Sequence, residues 1–345
     1  MNKKPLSSIT TDWVVTILIC WMYFGLFKDI WGHNHLKVSE LESFFTPSHY
    51  LFYSGFGAIF LFYLFLGFRN FRKGYSFRNL LPKGYSFLDI GWFIAGGIFD
   101  FIWHSTFGVE KNLDALISPA HVFLGVGTTL MLTGPIRSRW SQSKLKYSYI
   151  NSFPLLICFA IIWTCYSVMT EYAHPIFQPI LSGLAFNRQN NQIFQAQGLG
   201  VASLFIQTIL MISIFYIHIF RQKFLFGSFT FLITVNTTLM TIMASKSQSP
   251  DWLFIGGALF AGIIIDLLYL VLKPSLFRPT QFQIFSFSTA VVYNLMYFIS
   301  LFFGKGFWTS IHLTTGVIFE SGIIIWLYSL IILSASQQTQ KSTNS

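Results

Sequence analysis

The sequence predicts an all-α protein, a polytopic membrane helix bundle of about ten transmembrane helices with both termini cytoplasmic. Three observations predict it. Of the 345 residues, 53% are hydrophobic and 10% are charged, against roughly 25% charged in an ordinary soluble domain. Runs long enough to span a bilayer follow one another with little charge between their ends. The basic residues are distributed unevenly between alternate loops.

Ten spans are expected, at 12–34, 47–68, 87–107, 118–135, 148–170, 196–220, 225–243, 250–272, 281–302 and 312–334. The first and third are drawn long because their last turns become polar. With a cytoplasmic N-terminus, the inner loops gather Lys3, Lys4, Arg69, Arg72, Lys73, Arg78, Lys83, Arg137, Arg139, Lys144, Lys146, Arg221, Lys223, Lys273, Arg278 and Lys341. The outer loops keep only Lys28, Lys37, Lys111, Arg188, Lys246 and Lys305. That asymmetry predicts an even number of spans with both ends inside the cell, in the inner (cytoplasmic) membrane. Residues 1–334 read as one transmembrane domain, and 335–345 (SASQQTQKSTNS closes the chain) as a disordered cytoplasmic tail.

The same features exclude several function classes. The net charge of +10 lies in short topogenic loops, so nucleic acid is not an expected partner. Membrane lipids are, followed by other membrane subunits or further copies of the chain. Cys20, Cys158 and Cys165 sit in apolar runs without CxxC spacing, which fits buried small side chains better than a disulfide or thiolate site. Lys3 and Lys4 precede an apolar run that ends in FKDIWGHNH, not in a small-x-small cleavage site, so an uncleaved first helix is expected. No serine nucleophile elbow, phosphate loop or dinucleotide fingerprint is present in the sequence.

Histidines and carboxylates cluster toward the outer face. Two stretches stand out, DIWGHNHLKVSELESFFTPSH at 29–49 and DFIWHSTFGVEKNLDALISPAH at 100–121. Both run Asp, three residues, His, then a carboxylate, then Ser or Thr, Pro, one residue, His. The first copy supplies Asp29, His33, Glu40 or Glu42, Thr46, Pro47 and His49. The second supplies Asp100, His104, Glu110, Ser118, Pro119 and His121, with Asp114 nearby. The His-to-His spacing is 16 and then 17 residues. Each copy crosses from an odd-numbered span through an outer loop into the next, which predicts a duplicated helical hairpin at 12–68 and 87–135.

The chemistry follows from the spacing. Asp and His four apart share a helix face one turn apart. Thr46-Pro47 and Ser118-Pro119 open helices as N-cap and first helical residue, which puts His49 and His121 in the first turn. Asp29, His33, His49, Asp100, His104 and His121 are therefore the expected metal ligands. Neutral imidazoles and carboxylates without thiolate suit copper(II) or iron first, with zinc or manganese also accommodated. Glu40, Glu42, Glu110 and Asp114 are the candidates for orienting a ligand or acting as general base. A structural network, in which each Asp–His pair anchors a helix end, remains the other reading; the repetition favours metal.

The combination GHNH…ESFFTPSHYLFYSG, FDFIWHSTFGVE…ALISPAH and WTSIHLTTG resembles a largely uncharacterised group of ten-helix bacterial membrane proteins. Locally, Asp-x3-His followed by a more distant His is similar to the copper site in the C subunit of particulate methane and ammonia monooxygenases. The matching residues are Asp29, His33 and His49, or Asp100, His104 and His121. The interval to the last His is longer here and crosses a loop. The resemblance implies oxidative chemistry on a copper ion.

Elsewhere, Glu171, His174 and His312 lie toward the outer face and either complete the cluster or serve as interfacial hydrogen-bonding groups. Asp266 and Glu320 fall inside apolar spans, where a carboxyl is either a hydrogen-bonded neutral group or part of a proton relay. A metal-dependent membrane oxidoreductase is the first functional expectation. A zinc-dependent intramembrane hydrolase and a metal-handling or transport protein follow. Axial haem ligation by His49 and His121 ranks lower, since it gives no role to the recurring aspartates.

Overall fold

The computed structural model of the chain describes residues 4–36, 46–108, 110, 113–142, 148–178, 180–181, 190–245, 251–304, 306 and 309–344. Among these, eleven α-helices form. Eight are long and apolar enough to cross a membrane, which makes this a multi-pass membrane protein. Two further helices fall where spans are expected. Pro119–Trp140 carries Arg137 and Arg139 in its last turn, and Ser228–Ala244 has 17 residues.

The chain divides into two units, Met1–Cys165 and Tyr166–Ser345. Unit 1 holds α1 (Ile9–His35), α2 (Pro47–Arg72), α3 (Phe87–Phe107), the short α4 (Leu113–Ile117), α5 (Pro119–Trp140) and most of α6 (Tyr149–Met169). Local sequence sets the starts of the helices. Ser8, Thr46, Ser86 and Ser118 each accept a hydrogen bond from a first-turn amide, of Thr11, His49, Leu88 and His121 respectively. Each cap satisfies one of the donors a helix N-terminus leaves open. Pro47 and Pro119 then occupy the first helical position, where a missing N–H costs nothing.

Glycines let the helices of unit 1 pair closely. A Cβ on Gly25 of α1 would lie 2.3 Å from the Phe52 amide nitrogen in α2, and one on Gly55 of α2 would lie 2.5 Å from Met22 in α1. The α3–α5 pair is built alike: Gly96 lies against the Leu124 backbone, and Gly127 against that of Phe93. Helices in lipid associate through such van der Waals contact between small residues and backbone, because lipid is as apolar as the side chains. Phe52 and Phe56 of α2 then pack on Phe93 of α3, with ring centroids 5.6 and 4.4 Å apart.

The starts of α1 and α3 are held by buried polar groups. Asp12 Oδ1 accepts hydrogen bonds from Tyr85 (2.5 Å), Ser138 (2.7 Å) and Ser7 (2.8 Å). Beside this, Arg137 of α5 donates to Asp89 at 2.5 Å. Asp12 and Asp29 are both on α1, 17 residues or about 25 Å apart along the axis. The network thus anchors the end of the hairpins remote from the histidines.

Unit 2 contains α7 (Asn190–Ile219), α8 (Ser228–Ala244), α9 (Trp252–Leu272), α10 (Pro279–Gly304) and α11 (Ile311–Asn344). Consecutive helices from α8 to α11 pack on one another, and α7 lies against α10 and α11. Its apolar core includes Leu204, Phe254, Phe298, Leu301 and Val317. Asn294 donates to Thr208 (3.0 Å) and Ser321 (3.1 Å), tying α10 to α7 and α11. The backbone of α11 remains helical to Asn344, through the stretch whose composition predicts a disordered tail. Alanine, glutamine and lysine there have good helix propensity.

Candidate metal centre

All six expected ligands lie in unit 1, at the ends of four helices. Asp29 and His33 occupy the last two turns of α1, and His49 the first turn of α2. Asp100 and His104 end α3, and His121 begins α5. The hairpin geometry returns the chain so that each aspartate meets two imidazoles.

The second triad is the tighter. One ligand atom each from Asp100, His104 and His121 falls within 4.8 Å of the others, a spacing that can hold a metal ion. Both Nε2 atoms lie 3.3 Å from Asp100 Oδ1. Their opposite nitrogens are engaged by acceptors. His121 Nδ1 donates to the Ala115 carbonyl of α4 at 2.6 Å. His104 Nδ1 faces Glu110 Oε2 at 3.1 Å and the Gly108 carbonyl at 3.4 Å.

Local sequence produces this arrangement. Gly108 takes φ 81°, a left-handed value that glycine adopts freely, and ends α3 with its N–H on the His104 carbonyl. The chain can then turn Glu110 back toward His104. The five-residue α4 presents the Ala115 carbonyl to His121 in the same way.

These contacts set which nitrogen of each neutral ring carries the proton. Carbonyl and carboxylate oxygens only accept, so the Nδ1 atoms carry the protons. In the neutral imidazole each Nε2 is then a bare lone pair aimed at a carboxylate oxygen. Three electron-rich atoms converge, and a cation among them relieves their repulsion. Histidine ligands of metals are held in this way, with the remote N–H on a carboxylate or carbonyl. Asp100 is only 5% exposed at its side chain, whereas His121 is 31% exposed, so one side of the triad stays open.

The first triad also gathers two histidines on one aspartate, but its three ligand atoms do not all come within 4.8 Å of one another as those of the second do. Asp29 Oδ2 lies 3.3 Å from His49 Nε2 and 3.7 Å from His33 Nε2. Asp29 Oδ1 accepts a 3.4 Å hydrogen bond from Thr46, the residue that caps α2. The two triads are neighbours. Helices α1 and α5, which carry His33 and His121, pack on each other. Tyr53, one turn after His49, is within reach of both Asp29 and Asp100.

The remaining expected residues separate. Of the four carboxylates proposed to orient ligands or act as base, Glu110 meets His104, while Asp114 is exposed on α4. Glu40 and Glu42 lie outside the described residues. Glu171 and His174 are buried in unit 2, and His312 and Glu320 of α11 are exposed. Burial pushes the His174 pKa down to about 3, so that ring is neutral at physiological pH. Asp266 of α9 accepts from the Phe229 and Thr230 amides (3.3 and 3.0 Å) and the Thr230 hydroxyl (2.6 Å). It caps α8, whose own N-cap residue is Gly227, which has no side chain to do so.

Three participants escaped the reading of the sequence: Tyr53, the Ala115 carbonyl and the Thr46 contact to Asp29. Only Tyr53 left a signal, its placement four residues after His49 on one helix face. No known protein family, characterised protein or solved structure matches the chain.

Proposed function

We propose that this chain is a metal-dependent oxidoreductase of the cytoplasmic membrane, with copper or iron held by Asp100, His104 and His121. The observation that carries the reading is the convergence of two Nε2 atoms on one aspartate oxygen, with both Nδ1 atoms turned to carbonyl or carboxylate oxygens. Nitrogen and oxygen donors without a thiolate suit copper(II) and iron. The order Asp-x3-His…His is also that of the monooxygenase copper site the sequence resembles. When bound, such an ion supplies oxygen binding and electron transfer.

The residues of the chain take defined roles in this proposal. Asp100 is the anionic ligand, His104 and His121 the neutral ones, and Glu110 holds the His104 ring in its tautomer. The exposed edge of His121 is where a substrate or oxidant approaches. The topology proposed with it has ten spans, α5 and α8 included, both termini cytoplasmic and the triads on the extracytoplasmic side. Lipids surround the bundle, and other membrane subunits or a second copy are its candidate partners.

The exposure of three imidazoles supports a second reading, metal handling, in which the site receives and releases its ion. Zinc in the same ligands would make the protein a hydrolase instead, by activating water.

Elemental analysis of the detergent-purified protein separates these. Bound copper or iron, falling by one equivalent in His104→Ala/His121→Ala with helix content unchanged, is the expected result. Zinc alone would select the hydrolase. A copper ion that exchanges within seconds would select metal handling. Absence of any tightly bound ion after loading would sink the proposal and leave the triads as structural networks.

A further inference from the structure

We infer that the two triads hold two metal ions in one centre, one ion on Asp29, His33 and His49 and the other on Asp100, His104 and His121. The inference rests on the metal reading of the second triad and extends it to a site and a nuclearity.

The first argument is that the ligands partition. Each aspartate gathers the two histidines of its own copy: His33 and His49 on Asp29, His104 and His121 on Asp100. One ion shared by six ligands would draw the imidazoles of both copies to common atoms. Here each carboxylate presents a single oxygen to its own pair, Oδ2 of Asp29 and Oδ1 of Asp100. The other oxygen of Asp29 is occupied by the Thr46 hydroxyl, which orients it.

The second argument is that the same scaffold holds both sets. A glycine stands four residues before each aspartate, Gly25 and Gly96, and lies against the residue three after the distal histidine, Phe52 and Leu124. A glycine stands six residues after each distal histidine, Gly55 and Gly127, and lies against the residue seven before each aspartate, Met22 and Phe93. The hydroxyl residue three before each distal histidine, Thr46 or Ser118, caps its helix. Eight positions thus make four equivalent close contacts in the same register. The backbone that aims Asp100 and His121 at each other aims Asp29 and His49 at each other too.

The third argument is proximity. α2 and α3 meet near the ligands, where the Tyr53 ring of α2 lies 3.9 Å from a Cβ placed on Gly97 of α3. Among the positions where the copies differ, Leu26 and Tyr53 stand in the first and Gly97 and Gly125 in the second. Gly97 makes the difference useful, since the Tyr53 hydroxyl lies 4.0 Å from where its Cβ would be. The phenol therefore sits beside α3, one turn below Asp100, between the two sets of ligands. Paired ions in one centre share an exogenous ligand when they lie about 4 Å apart, which suits a small oxidant such as dioxygen.

The test is copper(II) loading of the purified full chain, read by elemental analysis and electron paramagnetic resonance. The wild type should bind two equivalents and show a dipolar-coupled pair, including a half-field line. His33→Ala/His49→Ala and His104→Ala/His121→Ala should each keep one equivalent with an uncoupled spectrum. Asp29→Asn retains the side-chain shape and should reproduce the first result if the double variant fails to fold. One equivalent in the wild type, kept by the first variant and lost by the second, would overturn the two-ion centre and leave the single-site reading standing. Two equivalents with no coupling would overturn the common centre. No copper at all would remove the metal reading with it.

Discussion

At the scale of single residues, the decisive feature is which atom of each imidazole is spoken for. A histidine beside an aspartate is ordinarily a hydrogen-bonded pair, with Nε2–H donating to the carboxylate. For His121 that account needs a second proton on the ring, because its Nδ1 already faces the Ala115 carbonyl at 2.6 Å. For Nε2 also to donate, the ring must be cationic, and so must His104. Two imidazolium ions on one aspartate, 5.4 Å apart between ring centroids, repel one another. The divalent ion of the proposed centre would let both rings stay neutral. Glu110 is the residue that tests this. Removing its charge with Glu110→Gln leaves the His104 ligand in place but loosens its tautomer. Metal affinity should fall by roughly 10–100-fold, as remote partners of ligating histidines generally contribute. Competition with a chromophoric chelator measures it. An unchanged affinity would show that the Gly108 carbonyl alone holds His104, and that the carboxylate has another task.

At the scale of helices, the hairpins show how position is transmitted to the ligands. Gly55 touches the Met22 backbone in α1, whereas a Cβ on Gly57, on the same helix, would meet nothing within 4 Å. Gly55→Ala should therefore push α2 from α1 and separate His49 from Asp29. The expected result is a lower thermal midpoint and loss of about one metal equivalent, with Gly57→Ala behaving as wild type. Equal behaviour of the two variants would break the link between this contact and the site. Much of this level was legible beforehand. The ten apolar segments each became a helix, because a long run of apolar residues has only one way to satisfy its backbone in lipid. The Asp-x3-His pairs and the Pro-x-His openings were legible for the same reason, being local geometry on a helix. What depends on contacts between distant segments was not. Asp266 looked like a relay candidate, since nothing near it in sequence reveals that it caps α8 across 36 residues. Glu110 and Asp114 were equivalent on paper, and only the turn at Gly108 decides that Glu110 faces His104.

At the scale of the molecule, sidedness decides which substrates the proposed centre can meet. Charges near the ends of spans orient a membrane protein, and the basic connection at 69–83 joins the ends of α2 and α3 remote from the histidines. Unit 1 carries this polarity within each hairpin. α1 begins at the buried Asp12 and ends at Asp29, and α3 begins at Asp89 and ends at Asp100 and His104. The anchoring network and the triads therefore occupy opposite ends, and placing either in the membrane places the other. Single cysteines report this directly, since Cys158 is buried and Cys20 and Cys165 are partly buried. Phe107→Cys, on a residue 70% exposed at the histidine end of α3, should react with a membrane-impermeant maleimide in intact cells. Arg78→Cys, in the exposed connection between α2 and α3, should react only after lysis. The converse pattern would put the triads on the cytoplasmic side. The centre would then meet the reductants of the cell interior, and an oxidative role on the outer surface would have to be abandoned. The labelling thus decides, ahead of any assay of turnover, which pool of substrates the exposed edge of His121 can reach.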